Sequence, residues 1–146
     1  MEFFTKNPSE TKKLGKILAK EIFRLKLRRA LVLKLEGDLG GGKTTFLQGF
    51  AKGLGIKEKI LSPTFVILKK FKVQGLNFET FYHIDCYRIR KPEEILSLGF
   101  KKIISAPKNI IAIEWAERLG KLSPSKSLKI RFKFIDKKIR RIKIYG

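Results

Sequence analysis

Apolar and polar positions follow several distinct periods along the chain, and each period predicts an element. Leu14, Ile17, Leu18, Ile22 and Leu25 recur at helical spacing, with Lys12, Lys13, Lys16 and Lys20 mostly off that stripe. Asn7-Pro8-Ser9-Glu10 precedes them with a capping side chain, a proline for the first turn and an acid three positions after the cap, so a helix starts there. Ala30 to Leu35 is a short apolar run, broken only by Lys34, that leads into glycines and reads as a core strand. Thr44 to Leu54 suits a helix closed by Gly53 and Gly55. Phe65 to Val73 and Phe78 to Tyr87 are rich in aromatic and β-branched residues and predict a hairpin around Gln74-Gly75-Leu76-Asn77. Pro92-Glu93-Glu94 opens a short helix toward Leu98, ended by Gly99. Asn109 to Ile113 reads as a second buried strand, followed by a helical turn at Glu117 to Leu119. Finally Leu128, Ile130, Phe132 and Phe134 alternate with Lys129, Arg131 and Lys133, the period of a strand buried on one face. Asp136-Lys137-Lys138 is its turn, and Ile142 and Ile144 lie on the return strand. The pattern predicts an α/β fold: one domain over residues 1–146, a mixed and mostly parallel sheet flanked by helices, with a C-terminal β-hairpin.

Composition narrows the class. The chain has 146 residues, of which 43% are hydrophobic, enough to bury a core and too many for a disordered chain. A single cysteine excludes an internal disulfide and a multi-cysteine metal site. Apolar runs such as Ala30 to Leu33 fall far short of the roughly 20 residues of a membrane span, and charges interrupt the N-terminus where a signal peptide would be apolar. A cytoplasmic protein is expected. Lys and Arg number 34 against 13 Asp and Glu, a formal charge of +21. The excess gathers at the ends, with ten basic and one acidic side chain in residues 121–146. Such charge draws in an anionic partner such as RNA, and it also solvates a surface. If RNA is touched directly, the basic ends near Lys137, Lys138, Arg140 and Arg141 are the place.

Candidate chemistry begins between the first strand and the second helix. Gly37-Asp38-Leu39-Gly40-Gly41-Gly42-Lys43-Thr44 matches G-x-x-x-x-G-K-[ST] in full, with a strand before it and a helix after it. Glycines let the backbone wrap a triphosphate with its N–H groups pointing inward, and the positive end of the following helix adds to the attraction. Nucleotide contacts are expected from Asp38, Leu39, Gly40, Gly41, Gly42, Lys43, Thr44 and Thr45. Lys43 would reach the β- and γ-phosphates, and the Thr44 hydroxyl would ligate Mg²⁺. No [NT]-K-x-D element for guanine is present, which favours ATP over GTP.

Such a loop needs an acid at the end of a neighbouring strand to organise the magnesium shell. Ile110-Ile111-Ala112-Ile113-Glu114 has that form, with Trp115 next, a residue that reads as packing beside the site. In His83-Ile84-Asp85-Cys86-Tyr87-Arg88, alternation puts His83, Asp85 and Tyr87 on one face. Asp85 would hold a metal-bound water or position the attacking one, and Arg88 would pair with Asp85 or neutralise phosphate charge. His83 reads either as a partly buried histidine with its hydrogen bonds met or as a catalytic group. Thr64, in Ser62-Pro63-Thr64, reads either as a sensor of the γ-phosphate or as a turn and strand cap.

Together GDLGGGKTT, SPTF, HIDCYR and IEWAERLG stand in the order and spacing of one family. The chain resembles the bacterial TsaE family from its N-terminal helix to about Pro124; beyond residue 125 the likeness is only a generic strand hairpin. The resemblance implies a single domain that binds ATP and Mg²⁺ and hydrolyses ATP slowly alone. It also implies work with TsaD and TsaB, whose complex puts a threonylcarbamoyl group on adenosine 37 of tRNA. By position it implies that Lys43 and Thr44 bind phosphate and Mg²⁺, that Glu114 supports the metal and that Asp85 is needed for hydrolysis. Thr64 would be the switch-like threonine, and Trp115 would lie near the nucleotide. One departure is Ala116, where the family often has proline. Two other classes compete with this reading: a small-molecule or nucleoside kinase, which would need an acceptor pocket and a lid that 146 residues hardly accommodate, and a basic RNA-binding module whose phosphate loop only gates assembly.

Overall fold

The structure is a computed structural model and describes residues 1–37, 42–61 and 67–146. Its strands are β1 (Glu2–Thr5), β2 (Leu31–Gly37), β3 (Leu68–Lys72), β4 (Thr80–Asp85), β5 (Asn109–Glu114), β6 (Leu128–Phe134) and β7 (Arg140–Tyr145). Its helices are α1 (Pro8–Phe23), α2 (Lys43–Gly53) and α3 (Phe100–Ser105), with 3₁₀ segments at Pro92–Leu98 and Ala116–Leu122. All strands join one sheet in the order β1-β7-β6-β2-β5-β4-β3. The middle of the sheet, β6-β2-β5-β4, is parallel, and β3, β7 and β1 close it with antiparallel pairings.

Two hydrophobic clusters sandwich the sheet. On one face Leu33, Leu35, Phe81, Ile110, Ala112, Ile130 and Ile142 meet Phe46, Leu47 and Phe50 of α2 and Ala19 and Ile22 of α1. On the other, Val32, Ile84, Ile111 and Ile113 are covered by Ile95, Phe100 and Leu119 of α3 and the 3₁₀ segments. The expected strand alternation is present: Ile130, Phe132, Ile142 and Ile144 are buried, and Arg131 and Lys133 are exposed. Asp136 closes the hairpin by accepting hydrogen bonds from the Lys138 and Ile139 amides at 2.7 and 2.9 Å.

Several elements differ from the sequence pattern. The buried side of α1 runs through Thr11, Gly15, Ala19 and Ile22, while Ile17 and Leu25 are exposed. The cause is the close approach of α1 to α2, which small residues allow and a stripe of large ones would prevent. A Cβ on Gly15 would collide with the Phe46 carbonyl, and one on Gly49 with the Lys12 carbonyl. Of the two glycines expected to close α2, Gly55 does so at φ +82 just past the Leu54 cap, whereas Gly53 lies in the helix against Ala19 and Lys16. The Asn7 cap is as expected, its side chain accepting the Glu10 amide at 2.9 Å. β1 and α3 were not foreseen, β4 starts at Thr80 and ends at Asp85, and the expected strand from Phe65 is described only over Leu68–Lys72. Replacing Gly49 by alanine should cost about 3 kcal/mol, the upper end of an overpacking penalty, because the obstacle is backbone. Urea denaturation checks this; an unchanged midpoint would mean the helices do not touch there.

Candidate functional site

Parallel strands end together, and that end of an α/β sheet is where a crevice forms. Gly37, Asp85 and Glu114 are the last residues of β2, β4 and β5, and Asp85 lies directly across from Glu114 in the β4–β5 register. β6 runs parallel to β2, with Phe132 opposite Gly37, so the turn after β6 arrives at the same edge. β1 points the same way, because it is antiparallel to β7, which is antiparallel to β6. The start of α1 therefore arrives there too. These arrivals enclose a cleft of about 870 Å³. Its floor is Gly42, Lys43, Thr44 and Thr45 with Asp85, Glu114 and Trp115; its walls are Tyr87 and Arg88 on one side, Asn7, Pro8 and Thr11 on another, and Lys137, Lys138 and Arg140 on a third.

Gly42 adopts φ +102, a left-handed conformation that suits glycine, and starts α2. Lys43 follows as the first helical residue. It is buried, its Nζ donating to the Gly37 carbonyl at 2.7 Å and lying 4.9 Å from the centre of the Trp115 ring. Trp115 itself takes φ +60, uncommon for a residue with a side chain, and its ring also packs on Tyr87 at 5.2 Å and under Arg118 at 5.6 Å. Ala116, buried, begins the 3₁₀ segment directly after this turn.

His83 is fully buried, and its Nε2 shares a 2.8 Å hydrogen bond with Oε2 of the equally buried Glu114. With the carboxylate as acceptor, the imidazole donates. His83 is thus buried more deeply than either reading had it, with one hydrogen bond met at Nε2 and its Nδ1 without a partner among the described residues. Asp85 shares the His83 face of β4 but is only half-buried, and its Oδ1 accepts the Tyr87 amide at 2.9 Å. Tyr87 thus reaches the cleft from the turn after the strand, not from the strand face itself. Loss of water raises the Asp85 carboxyl above the usual carboxylate range; Glu114 pushes the same way, against the Tyr87 amide, His83 and Lys43. The Cys86 thiol, buried beside it, is pushed up to about 12 by its apolar surroundings and is no nucleophile at neutral pH.

The sign for Asp85 follows from linkage. A carboxyl whose folded pKa is raised favours the folded state fully below its unfolded pKa, and that contribution is lost as pH rises through the folded value. Asp85→Asn, which keeps the acceptor for Tyr87, should therefore raise the melting temperature at pH 7. The gain should vanish near pH 3. Thermal melts at the two pH values check it.

Of the expected site residues, the structure brings together Gly42, Lys43, Thr44, Thr45, Asp85, Arg88, Glu114 and Trp115, with His83 directly behind Glu114. Asp38, Leu39, Gly40, Gly41 and Thr64 lie outside the described residues. Lys137, Lys138 and Arg140, named as the place where RNA would be touched, wall the cleft, as do Asn7 and Pro8 of the helix start and Lys6 and Thr11, which no motif marks. Donors for a phosphate chain are present in the Lys43 ammonium, the amides that begin α2 and two threonine hydroxyls. Oxygens for a small divalent ion are present in Thr44, Asp85 and Glu114. No group of three His, Cys, Asp or Glu among the described residues is placed to hold a metal by itself. An ion here would share oxygens with a bound phosphate, which is the habit of Mg²⁺.

Fold and site define an α/β domain in which a glycine-lysine motif and two strand-end carboxylates meet in one crevice. The family described as Threonylcarbamoyl adenosine biosynthesis protein TsaE matches residues 5–142. The tRNA threonylcarbamoyladenosine biosynthesis protein TsaE of Rickettsia felis is 39% identical over 131 residues, 89% of this chain and 71% of the relative. That of Bacillus subtilis is 38% identical over 133 residues, 91% of this chain and 77% of the relative. The crystal structure of YdiB from Bacillus subtilis superimposes with a TM-score of 0.70 at 33% identity, covering 99% of this chain and 83% of that one. The chain belongs to the TsaE family, a family of tRNA threonylcarbamoyladenosine biosynthesis. No helix among the described residues is long and apolar enough to cross a membrane.

Proposed function

We propose that the chain binds ATP with Mg²⁺ in this cleft and hydrolyses it, slowly alone, in support of threonylcarbamoylation of adenosine 37 in tRNA. It would act with the TsaB–TsaD transferase and not transfer the group itself. The observation that supports this is the meeting of Lys43 and Thr44 with Asp85 and Glu114 at the carboxyl end of the parallel strands. Bound Mg²⁺ would neutralise charge that develops on the terminal phosphates. The protein's own part begins with Lys43 leaving the Gly37 carbonyl for a phosphate oxygen. Glu114 is held by His83 through Oε2, so its other oxygen is the one available to a magnesium shell. Asp85, half-buried and opposite Glu114 at the next strand end, would orient an attacking water. Thr64, as a sensor of the γ-phosphate, would carry the nucleotide state to the partner proteins.

The test is phosphate release from ATP with and without reconstituted TsaB and TsaD, repeated with GTP. Acceleration by the pair, with ATP preferred, supports the proposal. Phosphoryl transfer to a small-molecule acceptor without them would replace it with a kinase.

A further inference from the structure

The β6–β7 hairpin has two unlike faces. Its inner face is the core already described. Its outer face follows from the registers: Lys129 opposes Tyr145, Arg131 opposes Lys143, and Lys133 opposes Arg141. β2 extends the surface with Lys34 opposite Lys129 and Glu36 opposite Arg131, and β1 adds Glu2 and Phe4 on the far side. The hydrophobic cluster that covers this side of the sheet elsewhere includes no residue of β6, β7 or β1, whose outward side chains are exposed or half-buried.

Six cations thus share one open sheet face with two acids. Both acids are engaged, Glu36 with Arg131 at 3.0 Å and Glu2 with Arg141 at 3.9 Å. Three cross-strand pairs set like charge directly against like charge, an arrangement that costs stability. Lys34 registers the strain: partial burial and then Lys129 depress its ammonium below the usual lysine range. The balance of sign is uneven: both acids sit on the flanking strands β2 and β1, and every outward charge of strands β6 and β7 is a cation. The face also holds a groove of about 510 Å³ lined by Arg131, Lys143, Tyr145 and Glu2. Over the Tyr145 ring lie the Arg131 guanidinium at 5.6 Å and the Lys129 ammonium at 6.0 Å.

We propose that this outer face of the β6–β7 hairpin, with the adjoining edge of β2, is a docking surface for the phosphodiester backbone of RNA. Cations repeat across the strands at about 4.8 Å and along them at about 6.6 Å, a two-dimensional array that a chain of phosphates matches and releases counterions from. An acidic protein would offer scattered carboxylates, each exposed pair worth little. Tyr145, still exposed at 38%, adds a ring on which a base can stack. The surface is separate from the nucleotide cleft, whose rim takes the hairpin tip.

Fluorescence anisotropy of a labelled tRNA transcript tests it, with the full chain, without nucleotide, across roughly 50 to 200 mM salt. Because no nucleotide is present, failure of the ATP reading would leave the outcome legible. Binding should weaken with salt. The triple variant Lys129→Gln, Arg131→Gln, Lys143→Gln should lose at least about tenfold in affinity and lower the salt slope by about two to three. Lys143→Gln alone should lower it by about one, which keeps the test readable should the triple variant not fold. Lys13→Gln, Lys16→Gln, Lys20→Gln removes equal charge from α1 and should change little. Equal loss in both triple variants, no binding at low salt, or a poly-glutamate probe bound as tightly as tRNA would each overturn the proposal.

Discussion

Lys43→Ala will lower the affinity for magnesium ATP by about 100-fold, roughly 3 kcal/mol, in titration calorimetry. The figure is the upper end for a hydrogen bond to a charged group, and burial is the reason to expect it. Lys43 is 5% exposed, yet its ammonium has one carbonyl and one aromatic face as its described partners. An ammonium has three donors, and a charged phosphate oxygen is a better acceptor than a carbonyl. Trp115 is positioned to keep the lysine extended, since its ring stands 4.9 Å from Nζ. Removing the amine therefore removes a contact that is strongest only when nucleotide is bound, and the fold should not suffer. A melting temperature within a few degrees of the parent would accompany the loss. Affinity close to that of the parent would place the triphosphate elsewhere.

How much of this was visible beforehand depended on how locally each feature is encoded. The strand of Ile110 to Ile113 ending in Glu114 and the alternation from Leu128 to Phe134 are local periods, and the structure has both. The glycine-lysine motif is local too, so Lys43 and Thr44 could be paired with Glu114 and Asp85 by asking where parallel strands end. The cleft walls are not local. Lys137, Lys138 and Arg140 reach the site because β6 pairs with β2 across 95 residues, as between Glu36 and Arg131. Their charge was legible and their destination was not. Asn7 was legible as a helix cap, but that its helix starts at the cleft follows from β1, four residues whose pairing to β7 leaves no period to detect. Gly53 was misread for a related reason. Gly53 near a helix end suggests a stop, whereas the backbone of the neighbouring helix decides its use. His83 was ambiguous because its partner lies 31 residues away on another strand.

That partner makes Glu114 the site of the second large effect. Glu114→Gln should leave magnesium ATP binding within a few-fold of the parent and reduce partner-stimulated phosphate release by roughly 100-fold or more. Glutamine is the informative replacement. It has the length of glutamate, and its amide can meet His83 in either tautomer, because the amide offers a donor and an acceptor and the imidazole can exchange roles. What is lost is the negative charge that a magnesium shell needs. Glu114→Ala removes more: it strips a buried imidazole of its only described bond, whose other nitrogen already has none, and should destabilise the fold by about 1–3 kcal/mol. A comparison of the two separates chemistry from structure. If the glutamine variant turns over like the parent, the carboxylate is there to hold His83 in the core. The metal-organising role would then pass to Asp85, its neighbour in register on β4. If both variants are inactive but only the alanine variant melts early, Glu114 serves the reaction through its charge and His83 serves it by fixing which oxygen Glu114 presents.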